Sequence, residues 1–132
     1  MQDRPTVHEL LHAVIHFLDA EAVPNLTGAR QFYGRVAANA LRTVQRELEH
    51  EEEQLAEEWE RLNQLLSVEH RPTTRAGLRQ AIRRRTEALC QRIRQGEADT
   101  GPYRKQVLAH VRESVREKLL VNNPGWITRP ES

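Results

Sequence analysis

The amino-acid sequence predicts an all-α protein, a compact bundle of four to five helices with an irregular C-terminal tail. Apolar residues recur at spacings of three and four along almost the whole chain, which is the helical period. The six Gly and six Pro residues stand mainly where this period is interrupted. With only two each of Phe, Tyr and Trp, the core must consist mainly of Leu, Val, Ile and Ala. A chain of 132 residues is expected to form one domain.

The first helix begins with a capping box. The Thr6 hydroxyl and the Glu9 carboxylate can each satisfy a free backbone N–H group at a helix start. The apolar period then continues to a proline at position 24, which predicts a helix over about residues 6–22. A turn with Gly28 as its flexible point is expected to follow.

The next stretch allows two interpretations. The apolar period runs on, but Glu51 and Glu52 occupy positions that should face the core. Either one long rod continues through them, or the chain breaks near His50 into a hairpin. A rod of nearly 40 residues is unusual in a small domain, so two helices, over about 30–48 and 51–67, are preferred.

The last two helices have clear limits. The Arg-Pro-Thr-Thr segment that precedes residue 75 is a typical helix boundary with a cap, and predicts a helix over 74–95. Residues 96–101 form the next turn, and Pro102 favours helix entry. The fifth helix is therefore expected over 102–120, followed by the irregular tail at 121–132.

The composition is that of an ordinary globular protein. Charged residues make up 30% of the chain, and the formal net charge is +1, so no nucleic-acid or membrane partner is expected. No apolar run is long enough for a transmembrane helix, and no signal peptide is recognisable. The single cysteine, Cys90, lies in a helical pattern and favours a reducing, cytoplasmic location.

Charge is strongly segregated along the chain. Residues 47–60 contain eight Glu and no Lys or Arg, whereas residues 71–94 contain eight Arg and one Glu. Arg75, Arg79 and Arg83 could hold the phosphate groups of coenzyme A or another phosphorylated ligand, because guanidinium groups pair well with phosphate oxygens. The preferred interpretation is structural: the acidic and the basic helix pair with each other.

Arg35 and Asn39 lie one helical turn apart among small apolar residues. A buried polar pair must find partners, and the candidates are Asp3 for Arg35 and the backbone carbonyls of Asn122 and Asn123 for Asn39. The preferred interpretation is a structural clamp that ties both termini to the second helix. The functional alternative is a docking face for a partner protein, and a rigid clamp could also serve as one.

Trp126 follows the last predicted helix in an Asn-Pro-Gly-Trp segment. Its ring could anchor a partner, since Trp is favoured at interface hot spots. We expect it instead to fold back over the bundle, where it would be covered.

Catalytic and metal-binding signals are weak. The three residues His8, His12 and His16 share one helix face with Asp19, and such a face can chelate transition metals. A solvated polar face is the better explanation, so neither a metal site nor a cofactor is predicted. Cys90 fits a core position better than a nucleophile, and no catalytic constellation is recognisable. We therefore expect a protein that is not an enzyme.

Three segments carry a resemblance to a known family: Gln2-Asp3-Arg4-Pro5-Thr6, Arg35-Val36-Ala37-Ala38-Asn39-Ala40-Leu41 and Asn123-Pro124-Gly125-Trp126. The chain resembles an uncharacterised family of small helical bacterial proteins. The resemblance covers nearly the whole chain and is poorest over about 49–75. Tyr33-Gly34 departs from the His-Ala pair more typical of the family.

Members of this family are usually encoded beside aminoglycoside-phosphotransferase-like kinases and acyl-CoA dehydrogenases. The resemblance therefore implies a non-catalytic accessory or stabilising subunit of such a kinase in hydroxyacyl-CoA catabolism. An acyl-CoA dehydrogenase-like protein is a further possible partner. In this hypothesis Asp3, Arg4, Arg35, Asn39, Asn122, Asn123 and Trp126 form the docking face. The alternative is a ligand-binding module that uses the Arg-rich fourth helix.

Overall fold

The computed structural model describes residues 3–128, and the all-α prediction is confirmed, with no strand in that range. Gln2 and residues 129–132, at the ends of the segments discussed above, lie outside the described residues. The α-helices are α1 (Val7–Phe17), α2 (Gly28–Leu65), α3 (Arg75–Arg94) and α4 (Gly101–Asn122). A π-helical turn, Leu18–Ala22, and a 3-10 turn, Val23–Asn25, follow α1, and a 3-10 turn, Pro124–Trp126, follows α4.

Most predicted boundaries agree with these limits. Thr6 and Glu9 form the predicted capping box: the Thr6 N–H donates to Glu9 Oε2 at 2.7 Å, and the Glu9 N–H donates to Thr6 Oγ1 at 3.2 Å. Thr74 caps α3, its Oγ1 accepting from the Gly77 N–H at 3.1 Å. Gly28 opens α2 with a φ of 59°, in the left-handed region that favours glycine.

The preferred break near His50 is wrong, because α2 is one helix of 38 residues. The wrong prediction arose at Glu51, which falls at a core position of the helical period. The Glu51 side chain is indeed buried there. The Glu51 carboxylate forms ion pairs with Arg79 and, at 3.7 Å, with Arg75 of α3. A buried carboxylate with cationic partners does not have to leave the helix face, so the acidic run does not interrupt α2.

The chain divides into two compact units, residues 1–49 and 50–132, and α2 contributes to both. We call them the N-terminal unit and the C-terminal unit. Whether they fold as the single domain expected from the sequence stays a prediction. None of the helices within residues 3–128 combines the length and the apolar character that crossing a lipid bilayer requires.

The N-terminal unit is a helical hairpin with a small core. Ile15, Val23 and Ala38 are its buried apolar residues. A side chain at Gly34 would bring its Cβ within 3.0 Å of Val23, so the glycine allows this close approach of the chain. The Gln31 side chain donates to the Val23 carbonyl at 3.1 Å and fixes the turn to the start of α2.

The C-terminal unit contains the main core, which is built by three helices. The buried apolar side chains lie in the C-terminal part of α2, along α3 and in the first half of α4: Trp59, Leu62, Leu65, Leu78, Ile82, Leu89 and Val107. On α4 the buried stripe continues through two polar residues, His110 and Glu117, to Val121. Leu108, Val111 and Val115, which also recur at helical spacings on α4, are exposed.

Candidate functional site

Arg35 and Asn39 are both exposed on the first half of α2. At about 100° per residue, they share one stripe with Phe32 and Val36, in which Arg35 lies about 60° and Val36 about 160° around the helix from the buried Ala38. We call these four residues the outer stripe. Phe32 and Val36 are themselves at least half exposed. The stripe thus presents an aromatic ring, an aliphatic side chain, a guanidinium group and an amide to solvent.

The clamp proposed for Arg35 is absent within residues 3–128, where its side chain makes no hydrogen bond or ion pair. Asp3 is exposed, and the neighbouring Arg4 lies 3.6 Å from Glu9. Because Arg35 is exposed to solvent, it needs no internal partner. The functional interpretation of this residue therefore gains weight over the structural one.

The C-terminal segment belongs to the other unit. The Asn123 N–H donates to the Leu119 carbonyl at 2.8 Å and ends α4. Asn122 and Asn123 are both exposed. Trp126 is 60% exposed, so it is not buried in the bundle, and whether it folds back over the bundle stays a prediction.

The Arg stripe on α3 is largely engaged in ion pairs. Arg75 and Arg79 bind Glu51, and Arg75 also lies 3.9 Å from Glu52. Arg83 is exposed and forms no ion pair within the described part of the chain. A surface depression of about 380 Å³ is lined by Arg79 and Arg83 together with Ala76 and Gln80. The preferred interpretation, pairing of the acidic and the basic helix, is supported at Glu51.

A buried charge network lies between α2 and α4. Arg61 donates two hydrogen bonds to Glu117, at 2.9 and 2.7 Å, and its Nε lies 3.4 Å from His110 Nδ1. Burial, and then the Arg61 charge, lower the pKa of His110 from its usual value near 6.5. Burial, and then the Glu117 charge, raise the pKa of the nearby Glu58. The sequence did not reveal this network, because Arg61 lies 49 residues from His110 and 56 from Glu117 along the chain.

A second network closes the C-terminal end of α2. Arg85 of α3 is buried and donates to the carbonyls of Leu62 and Ser67, at 3.2 and 2.7 Å. Its Nη1 lies 2.9 Å from Glu69 Oε1. Arg92 and Tyr103 both donate to the Leu65 carbonyl, at 2.9 and 3.1 Å. The Leu65 carbonyl is one of those that lack an intrahelical partner at a helix end, whereas the Leu62 carbonyl also accepts from the Leu66 N–H.

A family profile described as "Domain of unknown function (DUF6285)" matches residues 24–126, which is more than three quarters of the chain. The chain belongs to this family. Comparisons with curated proteins and with solved structures found no match. The DUF6285 match includes the outer stripe, both buried networks and Trp126.

In this DUF6285 member, three carboxylate groups lie close together beside the α2–α4 network. Oxygen atoms of Glu57, Glu113 and Glu117 are within 4.8 Å of one another. Glu117 is already bound to Arg61 by two hydrogen bonds. Arg116 hydrogen-bonds to Glu113 and lowers the pKa of that carboxyl group. The guanidinium groups of Arg61 and Arg116 neutralise part of the negative charge that would attract a cation to these carboxylates.

The His-rich face of the same DUF6285 member is exposed. The His12 and His16 rings lie parallel, with centroids 6.5 Å apart, and His8 Nδ1 lies 3.7 Å from Glu49. Asp19 forms an ion pair with Arg42. These contacts fit the solvated polar face that was preferred from the sequence. Cys90 is partly buried on α3.

Proposed function

We propose that this protein is a non-catalytic accessory subunit that docks on a partner enzyme through the outer stripe of α2. The observation that carries the proposal is the exposure of Phe32 and Val36 on one helix face beside Arg35, which forms no ion pair within residues 3–128. Aromatic and Arg side chains dominate the binding energy of protein interfaces. An exposed apolar group beside an exposed guanidinium also has little value for the folding of the hairpin itself.

The proposed partner is an aminoglycoside-phosphotransferase-like kinase that acts in hydroxyacyl-CoA catabolism. This identity rests on the family resemblance described above, and an acyl-CoA dehydrogenase-like protein is the further candidate. A kinase carries its own nucleotide site, so an accessory subunit has to supply only a surface. A ligand-binding role for the Arg stripe is less favoured, because Glu51 already occupies Arg75 and Arg79.

The test begins with affinity purification of the tagged full-length chain from its native host, followed by mass spectrometry. We expect a kinase of this class at near-stoichiometric amounts, and no turnover by the isolated chain. Recovery of the chain without a kinase would contradict the proposed partner. Binding of the identified kinase to purified variants then locates the surface.

We expect Phe32→Ala and Arg35→Ala each to raise the Kd for the kinase by about tenfold or more, as hot-spot truncations do. Trp126→Ala tests whether the exposed C-terminal ring belongs to the same surface. Arg83→Ala is the matched control, because Arg83 is an exposed helical Arg with no ion pair among residues 3–128. Unchanged kinase binding by both outer-stripe variants would exclude this surface.

A further inference from the structure

The N-terminal unit exposes a second apolar surface, on helix α1. Leu11 and Ile15 lie on the side of α1 that faces α2. Ile15 is buried and Leu11 is partly buried. Val7, Leu10, Val14 and Phe17 form a separate stripe at spacings of three and four. Each of these four residues is about half exposed. Helix α1 thus carries two apolar stripes, of which the hairpin covers only one.

Two ion pairs define one side of the hairpin. His8 lies beside Glu49, and Asp19 binds Arg42. At about 100° per residue, the exposed α1 stripe projects on the opposite side. On α2, the residues that project on that same side are Val44 and Leu48.

The two helices therefore form one uncharged surface, which we call the lateral face: Val7, Leu10, Val14, Phe17, Val44 and Leu48. These residues are between 43% and 53% exposed. No charged residue occurs between Ala37 and Leu41 of α2, and the charged residues between Arg42 and Leu48 lie off this face. The outer stripe, which carries the proposed kinase contact, lies on a different side of α2.

The area of the lateral face suits a protein interface. An aromatic side chain offers roughly 150–250 Å² and an aliphatic one less, so the six residues, of which only Phe17 is aromatic, present roughly 400 Å² at half exposure. The largest apolar patch of a typical monomer is about 300–600 Å², and a standard interface takes about 800 Å² from each partner. Two copies would together bury roughly 800 Å² of these side chains, and small residues at the margin such as Ala37 add to it, which lies in the range of weak, transient interfaces.

We propose that the lateral face binds the lateral face of a second copy of this chain. Two antiparallel helices presented side by side are compatible with a two-fold axis, and two such hairpins packed face to face form a four-helix bundle. An uncharged surface creates no repulsion between identical copies. The proposal does not depend on the kinase, because it uses different residues.

The test is sedimentation equilibrium of the full chain over a wide concentration range. We expect the wild-type protein to approach twice the chain mass of 15.3 kDa as concentration rises. Val14→Glu should raise the dimer Kd by at least about 100-fold, because each dimer would bury two unpaired carboxylates. Circular dichroism verifies that the variant is folded, and Leu10→Gln replaces it if it is not.

Val36→Glu is the matched control. Val36 is as exposed as Val14 and also lies in an α-helix of the hairpin, but on the outer stripe. We expect this variant to dimerise like the wild type. A monomeric wild type at all concentrations would overturn the proposal, as would dimers that persist in folded Val14→Glu and Leu10→Gln. Equal effects of Val14→Glu and Val36→Glu would also overturn it, since association would then not be specific to the lateral face.

Discussion

The guanidinium carbon of Arg85 lies 4.9 Å from the centre of the Trp59 ring, so a buried cation stacks on the largest side chain of the core. The same guanidinium donates to two carbonyls at the end of α2. Arg85 therefore joins α3 to α2 by stacking and by hydrogen bonds at once. Arg85 is expected to stabilise the fold because one side chain makes both kinds of contact, hydrogen bonds to the carbonyl groups and stacking on the ring.

We expect Arg85→Met to lower the free energy of unfolding by about 2–4 kcal/mol, because it leaves buried polar groups without their donor. Urea denaturation followed by circular dichroism measures the change. Arg83→Met, on the exposed side of the same helix, should change the free energy of unfolding by no more than about 0.5 kcal/mol. Equal effects of the two substitutions would show that Arg85 contributes no more than a surface residue.

His110 should make the stability depend on pH. Burial lowers its pKa below the usual 6.5, so the unfolded chain binds a proton more readily than the folded one. Its contribution is complete above pH 6.5 and is lost as the pH falls from 6.5 through the lowered pKa. Glu58 has a raised pKa and acts in the opposite direction as the pH rises above 4.5.

We therefore expect His110→Leu to flatten the loss of stability between about pH 7 and pH 5, whereas Glu58→Gln should not. Urea denaturation at several pH values measures both profiles. If His110→Leu keeps the wild-type dependence of stability on pH, another titratable group causes that dependence.

The continuity of α2 can be tested at Glu53, which is exposed in the middle of the helix. We expect Glu53→Pro to cost about 3 kcal/mol or more, because proline removes a backbone hydrogen bond and clashes with the preceding turn. Glu53→Ala should be nearly neutral. Circular dichroism and denaturation provide the comparison. A proline variant as stable as the alanine variant would indicate that the chain bends here.

The ion pairs of Glu51 predict weak binding of phosphorylated ligands by α3. We expect no saturable binding of coenzyme A to the wild-type protein in a calorimetric titration at physiological salt. Salt-sensitive binding that is lost in Arg79→Ala and Arg83→Ala would instead favour the ligand-binding module. Glu51→Gln should lower the free energy of unfolding by about 1–3 kcal/mol, because two arginines lose a buried partner.

The sequence contained enough to predict the helices with local signals. The capping box at Thr6, the cap at Thr74 and the glycine-bounded turn before α4 depend on neighbours within a few residues, and all three are present. The break near His50 was wrong because Glu51 looks unfavourable only when its own helix is considered. Its partners, Arg75 and Arg79, are more than 20 residues away.

The buried polar residues of α4 illustrate the same limit. His110 and Glu117 occupy the inner stripe, and Val111 and Val115 lie outside it. An apolar pattern favours the valines for the core, and it places the polar pair in solvent. Only the position of Arg61 on another helix makes Glu117 an acceptable core residue. For the candidate site, the sequence singled out Arg35 and Asn39 but could not predict which side of α2 faces α1.

The closure of the α2 end by Arg85, Arg92 and Tyr103 has a consequence for biosynthesis. These three residues leave the ribosome well after Leu65, at a rate of about 5–20 residues per second. The hairpin of the N-terminal unit needs only residues already made and can form early. The Glu-rich half of α2 gains its packing partners only when the later helices follow, and most helical stability in proteins comes from such packing. The two halves of α2 therefore acquire their packing partners at different times during translation.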